Sequence, residues 1–98
     1  MVKHMIIWKL KDEIADKKVR AQEIKIALEG LVGKIEGLLD MHILTEGFAC
    51  SSGDLMMDSA FTDEAALAAY QAHPLHQEIA NGLVRPSVAT RLSYDYEV

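Results

Sequence analysis

FTDEAALAAYQAHPLHQEIANGLVRP, residues 61–86, is the stretch that decides how this chain folds. Phe61 closes an apolar run that alternates like a strand. Thr62, Asp63 and Glu64 then open a helix, because a hydroxyl and two acids suit the unpaired amides of a helix start. Ala66, Leu67 and Tyr70 fall on one helical face. The helix breaks near His73, since the residue before a proline is driven out of helical φ/ψ. Pro74 suits the first position of a new helical piece. That puts His76 in the first turn of the second piece, beside Tyr70 and close to free backbone amides. Two imidazoles and a phenol gathered at a helix break form the one grouping in the chain with evident acid–base chemistry.

Upstream of this stretch, Leu55–Phe61 reads as a strand with Leu55, Met57, Ser59 and Phe61 on one face. The loop Phe48–Asp54, with Ser51, Ser52 and Gly53, joins it to a strand over Leu38–Gly47. Before that, Ala21, Ile24, Leu28, Leu31, Val32 and Ile35 recur at three- and four-residue steps, which predicts a helix over 14–35 ending at Gly37. Residues 2–11 form the first strand. Val2, His4, Ile6, Trp8 and Leu10 take one face; Lys3, Met5, Ile7, Lys9 and Lys11 take the other. Downstream, Val88–Val98 is the fourth strand. Its Leu92, Tyr94 and Tyr96 alternate with Arg91, Ser93, Asp95 and Glu97.

The order β-α-β-β-α-β is the split βαβ, or ferredoxin-like, α+β arrangement, with an antiparallel sheet and helices on one side. The second sheet face is then bare. Met5 and Ile7, with either Met41 and Ile43 or Leu44, make it apolar, and an identical sheet is its simplest cover. A homodimer is therefore expected.

With 98 residues the chain is a single domain, 1–98. Its ten basic and fifteen acidic side chains, net charge −5, leave no basic patch for nucleic acid and disfavour anionic membranes. Apolar runs fall far short of the ~20 residues that span a bilayer. The start, MVKHMIIWKLK, is too charged for a signal peptide and reads as a strand. The single cysteine, Cys50, has no internal partner, which fits a reducing cytoplasm.

Three segments, VKHMIIWKLKD, FTDEAALAAYQAHPLH and RLSYDYE, resemble the stress-responsive α/β-barrel domain, a family of dimeric α+β barrels. The Tyr-x-x-His-Pro-x-His segment is the most specific part. The resemblance spans essentially the whole chain and implies a homodimer whose two sheets curl into one barrel with the helices outside. Most members have no assigned reaction. Plant polyketide cyclases of the olivetolic acid type are similar in His4, Tyr70 and His76, which implies a catalytic role for these three. A further pocket histidine of that type corresponds to Leu55 here. Trp8, Leu55 and Phe61 are the expected ligand-binding neighbours.

Two readings of these residues stand open. In one, a neutral His76 acts as general base beside Tyr70 and His4 on a small carbonyl compound. In the other, the same pocket holds an apolar ligand, or none, without catalysis. A monooxygenase-like barrel ranks behind both, because no clear haem ligand or flavin motif is present. No cofactor and no metal are expected: His73 and His76 lack an obvious third ligand.

Overall fold

The computed structural model describes all 98 residues. Four strands, β1 (Val2–Leu10), β2 (Leu38–Leu44), β3 (Leu55–Phe61) and β4 (Val88–Glu97), form one antiparallel sheet in the order β2-β3-β1-β4. Helices α1 (Lys17–Glu29), α2 (Glu64–Ala72) and α3 (Pro74–Ile79) contribute to the layer over one face. α3 continues through a π-helical turn (Ala80–Val84) into a last short helix, α4 (Arg85–Ser87). The βαββαβ order and ferredoxin-like α+β class read from the sequence are those observed.

Capping explains the helix starts. The Asp16 carboxylate accepts from the Val19 amide at 3.1 Å, and the Asp63 carboxylate from the Ala66 amide at 2.8 Å. At His73 the backbone is extended (φ −67°, ψ 136°), as a residue before proline must be, and its Nδ1 accepts from the Leu75 amide. α1 is shorter than expected. It stops at Glu29, and the chain turns through Gly33 and Gly37, both at positive φ. Leu31 and Ile35 still reach the core from this turn, whereas Val32 is exposed. At Gly37 a Cβ would also sit 2.5 Å from that of Ala66, so the turn can press against α2 only with glycine there.

β1 behaves as its alternation requires. Val2, His4, Ile6, Trp8 and Leu10 are all buried under the helices, joined by Met57 and Phe61 of β3 and Ile24 and Leu28 of α1. β2 carries a register shift between Leu38 and Asp40. Leu38 therefore faces inward together with Met41 and Ile43, and Leu39 is turned out. Of the two alternatives for the open face, Leu44 is the one found there; Met41 and Ile43 belong to the core. Pairing registers align Leu44, Met56, Ile7 and Leu92 in one row across the open face, and His42, Asp58, Met5 and Tyr94 in the next. Lys3 and Asp58 form an ion pair on that face at 2.5 Å.

β4 is an edge strand that pairs along its length with β1. Ser87, just before it, is fully buried. Its hydroxyl donates to the Leu83 carbonyl and accepts from Arg20, both at 2.7 Å. Its carbonyl accepts from the Lys11 amide at 2.9 Å. This residue fixes α4 against both α1 and the end of β1. The wide π turn preceding it suits Pro86, which lacks an amide and would collide with a carbonyl one α-turn back.

Candidate functional site

A cavity of about 590 Å³ lies between the helix-side face of the sheet and the run from α2 to α4. Ile6 and Trp8 of β1, Met57 of β3, Leu28 of α1 and Val84 of the π turn supply its apolar wall. His4, Tyr70, His76, Arg85 and Arg91 supply most of its polar lining, with Gln71 and Gln77 beside them. The three residues singled out for chemistry, His4, Tyr70 and His76, are thus brought together, although they come from β1, α2 and α3. Trp8 lines the same space. Leu55 and Phe61 do not. Leu55 is buried near the far end of β3, and Phe61 lies beneath Tyr70, ring centroids 4.9 Å apart, as part of the floor that supports it.

His76 packs against Tyr70 as a tilted ring pair, with centroids 4.3 Å apart and planes at 44°. The ring is oriented by its Nδ1, which donates to the Gln71 carbonyl at 3.1 Å. A neutral imidazole that donates from Nδ1 keeps Nε2 as an acceptor. Burial holds His76 below the ordinary histidine range; the Gln71 carbonyl opposes this, and Arg85, His4 and Arg91 add to the lowering. The sequence reading expected a neutral ring because of the helix start. The direction agrees, but desolvation is the leading cause. Tyr70 is 1% exposed. Burial alone pushes its phenol well above the usual value, with no hydrogen bond contributing, so it stays a protonated donor.

His4 is buried, and its Nδ1 meets the Asp95 carboxylate across the β1–β4 ladder, where the two residues are direct partners. Its own carbonyl accepts from the buried Ser59 hydroxyl at 2.7 Å. This pairing fixes the orientation of the imidazole, as a carboxylate does for histidines that move protons in known sites. Sequence reasoning missed Asp95. The signal was present in β4, whose apolar alternation at Leu92, Tyr94 and Tyr96 belongs to the open face. That leaves Arg91, Ser93 and Asp95 on the helix side, opposite Trp8, Ile6 and His4. Arg91 follows from the same alternation, whereas Arg85 lies on α4, where an exposed arginine reads as solvated surface until the fold closes a cavity beside it.

A family model described as "Stress responsive A/B Barrel Domain" matches residues 2–98. No curated protein matches the chain. Among solved structures, a dimeric protein of unknown function and ferredoxin-like fold from Bacteroides fragilis is similar with a TM-score of 0.88 at 25% identity, over 99% of this chain and 95% of that one. A protein of Arabidopsis thaliana is similar with a TM-score of 0.82 at 27% identity, over 100% and 95% of the two chains. A ferredoxin-like protein of the same family from Mesorhizobium loti shares the fold, with a TM-score of 0.80 at 20% identity over 99% and 95%.

Proposed function

The chain belongs to the stress-responsive A/B barrel family, and from that premise we propose that it is a homodimer with an acid–base site for a small carbonyl compound. The observation that carries the reading is the cavity reached by both His4 and His76, with His76 tethered through Nδ1 so that Nε2 is available to the ligand. In the proposed step Nε2 takes a proton from the carbon next to the carbonyl. The C–H electron pair forms a C=C bond to the carbonyl carbon, the C=O π pair moves onto oxygen, and the Tyr70 hydroxyl donates to the enolate oxygen that develops. His4, oriented by Asp95, supplies a second imidazole in the same space. The apolar wall formed by Ile6, Trp8 and Val84 suits an aliphatic tail.

Dimerisation is supported by the open face of the sheet, where Ile7, Leu44 and Leu92 are exposed in one row. An apolar surface of this kind marks an interface, and the similar protein of Bacteroides fragilis is dimeric.

The test is deuterium exchange. A neutral methyl ketone, 2-hexanone, and an oxo acid, 5-oxohexanoate, are each held in D2O at neutral pH with the protein, and incorporation next to the carbonyl is followed by NMR. The wild-type protein should accelerate exchange in at least one of them and His76→Ala in neither. Wild-type rates equal to those of buffer for both compounds would remove the acid–base reading.

A further inference from the structure

Fifteen residues line the cavity, and none of them is an aspartate or glutamate. This is unexpected for a chain with fifteen acidic side chains and a net charge of −5. The charged residues in that lining are Arg85 from α4 and Arg91 from β4, alongside His4 and His76. Neither arginine forms a salt bridge; the ion pairs of the chain involve Lys3, Lys17, Arg20 and Lys25. Arg85 donates to the side-chain carbonyl of Asn81, and Arg91 makes only a long contact of 3.4 Å with the Ser93 hydroxyl. Asp95, on the same strand and the same sheet face as Arg91, is taken up by His4.

Both arginines are exposed, while the wall made by Ile6, Trp8 and Val84 is buried. The cavity is therefore cationic toward solvent and apolar within. A planar guanidinium without a carboxylate partner matches a carboxylate ligand with two parallel hydrogen bonds. We infer that the cavity takes a small organic acid, its carboxylate held by Arg85 and Arg91 at the mouth and its aliphatic part against Ile6, Trp8 and Val84. Taken with the acid–base reading, on which this inference rests for its choice of site, the substrate class is a short oxo acid rather than a neutral ketone.

An anion at the arginines has a further effect on the base. The charged and titratable groups around His76 are Arg85, Arg91 and His4, with Tyr70 packed against the ring. Neutralising the two guanidinium charges removes part of what disfavours the imidazolium. Ligand binding then makes His76 a readier proton acceptor.

The experiment compares hexanoate with hexanamide, probes of equal length that differ in charge. Binding is followed by NMR titration of the wild-type protein, of Arg85→Gln/Arg91→Gln and of His76→Ala, each checked for an unchanged amide spectrum elsewhere. Hexanoate should bind the wild-type protein at least tenfold more tightly than hexanamide, and raise the apparent pKa of His76. The double arginine variant should lose the preference while binding hexanamide as before. His76→Ala should keep the preference, because the carboxylate contacts do not involve that ring; this separates the inference from proton transfer, which deuterium exchange reads. Equal binding of the two probes, binding of neither, or a preference that survives in the arginine variant would overturn it.

Discussion

Replacing His76 by alanine separates a ring that serves the cavity from one that holds up the core. The wild-type ring contributes two things to stability. Its tilted ring contact with Tyr70 at 4.3 Å is worth about 0.5–1.5 kcal/mol beyond area burial. Its hydrogen bond to the Gln71 carbonyl is worth about 0.5–1.5 kcal/mol net. The neighbouring Gln77 amide also reaches the Gln71 carbonyl, so that oxygen keeps a partner in the variant. The ring borders existing empty space, so its removal enlarges a cavity rather than opening a new one. His76→Ala should therefore cost about 1–3 kcal/mol, which at this chain length lowers Tm by roughly 4–8 °C per kcal/mol.

The cost should depend on pH with a definite sign. The folded-state pKa of His76 lies below its unfolded value of ~6.5. Above ~6.5 the ring is neutral in both states and its stabilisation is complete. As pH falls below that value the unfolded chain takes up the proton first, and stability is lost until pH passes the folded pKa. The margin of wild type over His76→Ala should accordingly be widest near pH 8 and narrow on acidification. Urea denaturation at several pH values, at one fixed protomer concentration, measures this directly. A loss above about 4 kcal/mol at pH 8 would class His76 with buried core and network residues, and a margin that widens toward acid would contradict the assigned direction. Either result would refute the argument.

Two further substitutions test the frame around the site. Ile7→Glu places a charge in the middle of the open sheet face, and sedimentation should then give the 10.9 kDa monomer where the wild-type chain gives twice that mass; a variant that remains dimeric would exclude that face as the interface. Gly37→Ala adds a side chain at φ +85° and 2.5 Å from the Ala66 Cβ, so the backbone and α2 must both shift, at about 2–4 kcal/mol by urea denaturation; a neutral effect would mean that the turn relaxes freely.

The sequence was most informative where one local force acted alone. The alternation of β1 predicts its buried face without exception, and the proline after His73 fixes the helix break. It was less informative where two signals overlapped. The apolar spacing of Leu31 and Ile35 looks helical, yet both residues reach the core from a glycine turn, because tertiary burial needs only the side chain and not the helix. In β2, one shifted register at Leu39 decides which side chains point inward, and no property of the residue announces it. His4, Tyr70 and His76 were visible as residue types in a motif. Asp95 and the two arginines were not, since their roles depend on strand pairing and on which surface the fold encloses.

The sheet order has a consequence for how the site comes into being. β1 lies second from one edge, between strands that begin more than fifty and eighty residues later. His4 and Asp95 are 91 positions apart, so their contact closes a loop that spans the whole order of elements from β1 to β4. Contacts of such sequence separation are slow to form, because loop entropy is lost before any pairing compensates for it. During synthesis β1 leaves the ribosome with apolar residues on both faces and waits for its last neighbour until β4 is made. Until then the carboxylate that orients His4 does not exist. The chain can build a nearly complete core from β1, β2, β3 and α1 before it has a site at all.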